Sequence, residues 1–442
     1  VAKGGLGFDD KTASSIYGLY IAATYLLSLW GGWVADRLIG QQRAVMVGGV
    51  IIMLGNALLV VSDTRFFFVG LAMIVFGTGL LKPNISAIVA QLYPEGGARR
   101  DAGFSIFYMG INTGAFLGQL LVPIFAVAFG WKVGFAVPAL GMLFGLVQFS
   151  YGRKYLGEKG KHAVGERASI WPVYAIVGIA VAIIVAAFAG LIHFDPAGIA
   201  GWANWAMIAL AVGYFTYLLG FAGLDSTERG KALVIIALFV ACAMFWAGYE
   251  QAGASFTLFA ERYTDRTIFG IEIPGGTVQG VNSVFIILFA PVFAAIWVWL
   301  GKRNLDPSSP AKFALGLILL GVGFAVMVAA SKFVLAGQKV LPTWLVLTYL
   351  LHTFGELCLS PVGLSSMTKL APPRFVGQVM GLWFLATAIG NNLAGQFSGE
   401  IDPNNLSTMP ALYTRLVWWG IIGGAVMLAI TPWARRLIKD SK

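Results

Sequence analysis

Runs of about twenty mostly apolar residues recur from one end of this chain to the other, separated by short segments rich in Gly, Pro, Asp and Asn. A helix needs ~20 residues to cross ~30 Å of hydrocarbon, and such separators mark turns. The pattern predicts thirteen membrane-spanning helices, over roughly 14–35, 43–61, 66–92, 102–128, 131–151, 170–192, 203–222, 230–260, 277–300, 312–335, 343–369, 375–398 and 414–433. The fold class is therefore an all-α polytopic membrane protein. A polar, basic stretch at 152–169 reads as a linker between an N-terminal bundle (1–151) and the remainder of the chain. The next two spans carry no charge in their apolar cores and read as an inserted, lipid-facing hairpin (170–222), ahead of a C-terminal bundle (223–442).

Composition agrees: 58% of the 442 residues are hydrophobic and 11% charged, far from the ~25% charge of soluble domains. The net charge of +10 does not point to nucleic acid, because the basic residues are scattered through short loops. Two-thirds of the 30 fall on one alternate set of loops, which the positive-inside rule assigns to the cytoplasm of a cell (inner) membrane protein, C-terminus included. Val1 then lies outside, and this odd parity predicts a further helix upstream of it. Cys242 and Cys358 fall within spans and read as packing residues. His162, His193 and His352 lack metal spacing, and His352 alone lies in a span, as a hydrogen-bonded packing residue. The chain shows no nucleophile–base pair, metal cluster or phosphate loop, so an enzyme is not expected.

Charge changes the picture most where it is rarest. Away from span ends, where long side chains snorkel, three charged residues remain: Lys82, Glu250 and Glu356. Each costs ~2.5–3.5 kcal/mol at bilayer centre, so they are expected to face an aqueous cavity or one another. Lys82 belongs to the first half and both acids to the second, and carriers that work by alternating access bind substrate between such halves. Trp246 precedes Glu250 by one helical turn and Ser360 follows Glu356 by one, with Pro361 loosening the helix there. Trp383, Phe384, Asn391 and Asn392 crowd the next span. Gly31 and Gly32 permit close helix contact, and Asp36, just before Arg37, closes that span as a gate residue at the cytoplasmic face or as a capped helix end with a surface ion pair. Gly110 and Gly114 form a GxxxG spacing suited to helix approach, with Asn112 between them in need of a partner.

These segments together resemble the proton-coupled oligopeptide transporter family of the major facilitator superfamily. The stretches carrying the resemblance are "GGWVADRLIGQQRAV" (31–45), "FSIFYMGINTGAF" (104–116), "GTGLLKPN" (77–84), "FWAGYEQ" (245–251) and "GELCLSPVGLS" (355–365). The resemblance implies two six-helix bundles plus the inserted hairpin, thirteen spans present of fourteen. It implies a symporter that imports di- and tripeptides, driven by protons and needing no cofactor, monomeric in the lipid bilayer. Lys82 would meet the peptide carboxylate, Tyr25 and Asn112 its backbone, and Glu356 with Ser360 and Asn282 its amino terminus. Trp246, Trp383 and Phe384 would wall the side-chain pockets. Glu250, with Lys82 and Glu356, would couple protons. The family's ExxER motif, borne on its first helix, is not found in these residues, in keeping with a helix upstream of Val1. Another solute on the same fold (nitrate, an amino acid, a drug-like mimic) and a transport-inactive peptide receptor remain open at this point.

Overall fold

The computed structural model describes residues 10–61, 63–95, 97–163, 169–188, 196–252, 255–268, 271–272, 278, 280–398 and 408–439. Each expected span corresponds to a long helix. The first five are α1 (Asp10–Val34), α2 (Gln41–Leu59), α3 (Thr64–Gln91), α4 (Gly97–Phe129) and α5 (Trp131–Leu156). The inserted pair is α6 (Trp171–Phe188) and α7 (Pro196–Gly220). Then come α8 (Ser226–Tyr249), the short α9 (Ser255–Tyr263), α10 (Gly280–Lys302), α11 (Ser309–Leu335), α12 (Thr343–Leu370), α13 (Val376–Ser398) and α14 (Thr408–Lys439).

The eighth span departs from expectation. In place of one helix over 230–260, α8 stops at Tyr249, a 3-10 turn covers Glu250–Ala252, and α9 resumes at Ser255. Hydropathy senses only the solvent a segment prefers, so it runs smoothly across this break. Interrupted backbone at membrane depth is tolerated where protein surrounds it or it lines water, and Glu250 stands at that interruption. After α9 a two-stranded antiparallel ribbon, β1 (Thr267–Ile268) and β2 (Ile271–Glu272), departs from all-α form.

Contacts divide the chain into two compact units that interleave in sequence. The first contains residues 1–92, 117–214 and 371–385. The second contains residues 93–116, 215–370 and 386–442.

In the first unit α1 is pinned on two sides by absent side chains. A Cβ at Gly31 would collide with the carbonyl oxygen of Gly79 on α3, and one at Gly32 with that of Gly377 on α13. Backbone meets backbone at both, as the glycine pair predicts. Beyond Val34 the helix widens into a π turn, Ala35–Ile39, that ends at Gly40 with φ +78°. The inserted pair leans on α1, leaving an apolar groove of about 310 Å³ lined by Trp30, Trp33, Ile176 and Tyr214. Its outer side chains, Trp171, Trp202 and Trp205 among them, are well exposed, as expected of a face turned to lipid.

In the second unit α11 packs on α12 through Gly316 and Gly355, and on α14 through Gly321 and Gly420. Expectation fails at Gly110 and Gly114, where no described atom of a neighbouring element lies within 4 Å of an added Cβ. GxxxG spacing permits close approach without requiring it. His352 is a packing residue, its Nε2 3.1 Å from the Leu320 carbonyl and its ring against Phe324 and Phe256. Cys242 and Cys358 are free thiols, both buried.

Candidate functional site

The candidate residues fall into two clusters, one in each compact unit. The first is built on α1, α3 and the start of α13. Lys82 lies one residue before Pro83, and α3 continues through that proline. The Lys82 ammonium sits between two rings, 4.7 Å from the centroid of Tyr25 and 4.5 Å from that of Phe384. A cation over an aromatic face is attracted by the ring quadrupole, by about 2 kcal/mol where water is excluded. Among the described residues of this unit the ammonium meets rings. Tyr25 is half-buried and Phe384 buried, as is Trp383 beside it. Phe384 was expected as wall; its ring serves the cation.

At the far end of α1 the Asp36 carboxylate is fully buried. It accepts hydrogen bonds from the backbone N–H groups of Gly377 at 2.8 Å and Gln378 at 3.2 Å, and one from Gln41 Nε2 at 3.4 Å. These N–H groups open α13 and have no partner within their own helix, so an anion from another element satisfies them and the helix dipole together. A surface ion pair does not fit this carboxylate, which is buried, and the neighbouring Arg37 guanidinium lies 5.3 Å over the Phe375 ring. Asp36→Ala removes the acceptor and strands two buried donors. It is expected to cost about 2 kcal/mol, read as a lower thermal midpoint of the solubilised protein, and an unchanged midpoint would refute the contact.

The second cluster surrounds Glu356, midway along α12 and 2% exposed. The Tyr108 hydroxyl, from α4, donates to its Oε1. Asn282 Nδ2, from the first turn of α10, lies 3.3 Å from its Oε2 and donates also to Thr353 Oγ1 at 2.9 Å. Thr353 in turn bonds the Tyr349 carbonyl at 2.7 Å, so the amide is aimed from behind. Tyr249, the last residue of α8, presents a further hydroxyl to the carboxylate. Beneath them Ile286, Ala290 and Leu357 form an apolar floor against which Tyr108 packs. Ser360 is buried one turn along α12 beside Tyr108. The helix does not break at Pro361.

Glu250 lies within electrostatic reach of Glu356. The break that carries it is held by Gln251, whose side chain donates 2.9 Å to the Ala394 carbonyl. Trp246 packs edge-on to Tyr249 at 5.1 Å and seats its Cβ against Gly390. Asn112 spends its amide on the Tyr108 carbonyl of its own helix, at 3.0 Å, leaving its oxygen as the group to offer. Sequence reasoning thus reached Glu356, Asn282 and Ser360 but assigned nothing to Tyr108 and Tyr249. Their signal was present: Tyr108 stands one turn before Asn112, and Tyr249 adjoins Glu250.

A polytopic helical membrane protein that keeps a cation and two acids within its apolar spans, each among polar or aromatic side chains, belongs to the carriers rather than to structural bundles. Known relatives narrow the kind. A model of the POT family matches residues 42–409. Peptide transporter YePEPT of Yersinia enterocolitica is 41% identical over 459 residues, covering all of this chain and 90% of that protein. A di-/tripeptide transporter of Lactococcus lactis is 36% identical, covering 99% of this chain and 89% of that one. A crystal structure of a peptide transporter POT in complex with sulfate superposes with a TM-score of 0.76 at 40% identity, over 99% of this chain and 89% of its own. The chain belongs to the POT family, the proton-coupled oligopeptide transporters, a family of transporters and not of enzymes.

Proposed function

We propose that this protein is a proton-driven symporter of di- and tripeptides that works by alternating access between its two six-helix bundles. The observation that carries the reading is the Glu356 cluster, on a chain whose relatives are named peptide transporters. A buried carboxylate gripped by Tyr108 and Asn282 is an anionic anchor held in one orientation, suited to a peptide ammonium. Lys82, held between two rings, is a cationic anchor uncommitted to any carboxylate among the described residues of its own unit, suited to the peptide carboxylate. A ligand with both termini charged satisfies the pair. An anion such as nitrate would use Lys82 and leave Glu356 without a ligand counter-charge, which disfavours that alternative. Asn112 and Tyr25 would bond the peptide backbone, Ser360 would assist Glu356, and Trp246, Trp383 and Phe384 would border the side chains. Glu250, at the helix break, would carry the proton together with Glu356 and Lys82. The protein would work as a monomer in the cell membrane with its C-terminus in the cytoplasm, consistent with its basic loops.

Competition binding tests the substrate class. Dialanine and trialanine are expected to displace a labelled dipeptide from the purified protein, whereas nitrate, free alanine and an N-acetylated, C-amidated dialanine are not. Displacement by the blocked peptide equal to that by the free one would overturn recognition through the termini. Within the first cluster, Phe384→Leu keeps an apolar wall but removes a ring from the lysine. It is expected to weaken dipeptide affinity by about tenfold, with Phe384→Tyr close to wild type. Equal affinity for the leucine and parent proteins would refute the role of the ring.

A further inference from the structure

A second charged assembly lies about two turns before Tyr108 along α4, and the site described above makes no use of it. Lys312, in the first turn of α11, is 1% exposed. Its Nζ lies 2.7 Å from Asp101 Oδ2, just past the first turn of α4, and 2.8 Å from Asp306 Oδ1, in the segment that leads into α11. The ammonium also stands 4.4 Å over the Trp297 ring of α10. The other Asp101 oxygen accepts from Ser365 Oγ of α12 at 2.6 Å. Arg100 beside it donates to Thr368, one turn further along α12. At the same level a Cβ on Gly301, near the end of α10, would lie 2.7 Å from the Cβ of Ala98. The start of α4 is thus clamped to the ends of α10, α11 and α12.

The partners come from opposite halves of the sequence. They meet where the loops carry Arg99, Arg100, Lys302, Arg303 and Lys369, the cytoplasmic side in the orientation proposed above. A buried ion pair adds little net stability against a well-packed apolar substitute, and its best-attested use is to select one arrangement over another. Each group here has a water-satisfied alternative once the helices part, so the assembly can open without stranding a charge in lipid. We propose that Asp101, Lys312, Asp306 and Ser365 form a latch that holds the pathway closed toward the cytoplasm and must break for it to open there. The proposal rests on alternating access as proposed above, and gives that cycle a specific cytoplasmic contact.

Spin labels on cysteines at Arg99 and Leu305, both exposed, read the latch without any substrate; the native cysteines are buried. The parent protein is expected to show mainly one short distance. The pair Asp101→Lys with Asp306→Asn, which strips both carboxylates from Lys312 and sets a second ammonium against it, is expected to shift the majority to a longer one. A distribution identical to the parent's would overturn the latch. Should that pair fail to fold, Ala98→Cys with Gly301→Cys serves instead: a Cβ at 301 would lie 2.7 Å from that of Ala98, closer than the ~3.8 Å of a disulfide, so a shift of about 1 Å brings the two into bridging range. Oxidation is expected to stop dipeptide uptake into liposomes and a reductant to restore it. Uptake that persists with the bridge complete would overturn the latch as well. A reduced double-cysteine protein that never carries peptide would count against the substrate reading, while the spin-label distances judge the latch separately.

Discussion

Glu356→Ala is expected to reduce dipeptide uptake into proteoliposomes by at least about a hundredfold. Truncating one partner of a buried, hydrogen-bonded charge typically costs 2–5 kcal/mol, and each 1.4 kcal/mol is a factor of ten. Here the loss is compounded by what remains. The Tyr108 hydroxyl and the Asn282 amide both aim at the carboxylate, and Asn282 is already bonded to Thr353. Removing the acceptor leaves buried donors facing one another and removes the charge that would receive a peptide ammonium. Glu356→Gln separates the two effects, because it keeps an acceptor for Tyr108 but no charge. Peptide binding is expected to be weakened in the glutamine variant nearly as far as in the alanine variant. Binding close to wild type for Glu356→Gln would show that shape, and not charge, is what the site reads.

The second large effect is expected at Lys82. Lys82→Gln should abolish concentrative uptake and weaken binding of free dipeptides by about a hundredfold. Binding of dipeptides amidated at the carboxyl end, already poor, should change little. This selectivity distinguishes a ligand-binding lysine from one that only packs. Between Tyr25 and Phe384 a glutamine amide fits without a cavity, so folding is not at issue. An equal loss for free and amidated peptides would remove Lys82 from carboxylate recognition.

How far the sequence discloses this arrangement varies with the kind of force involved. The thirteen long helices follow from hydropathy because the bilayer requires long apolar runs that satisfy their own backbone. The interruption at Glu250 is invisible to that measure, since "FWAGYEQAGASF" remains apolar enough to cross while its hydrogen bonding changes. Lys82 and Glu356 stand out because a charge far from a helix end has few explanations. Asp101 and Lys312 lie near helix ends, where charges are normally solvated and uninformative, and only tertiary contact buries them together. Asp36 is intermediate. Its motif and glycines were legible, yet its true partners, two N–H groups at the start of α13, lie some 340 residues away. The aromatic hold on Lys82 was missed because hydropathy and motif both count Phe384 as an apolar wall. A ring can do two things, and composition does not say which.

The central claim is that a peptide carrying both termini moves through this protein with protons, and its most direct measurement is accumulation. Purified protein in liposomes, given labelled dialanine and an inward proton gradient, is expected to concentrate the peptide above its external level. A protonophore should collapse that accumulation to equilibrium. Uptake that never exceeds equilibrium, or that is indifferent to the protonophore, would contradict the account.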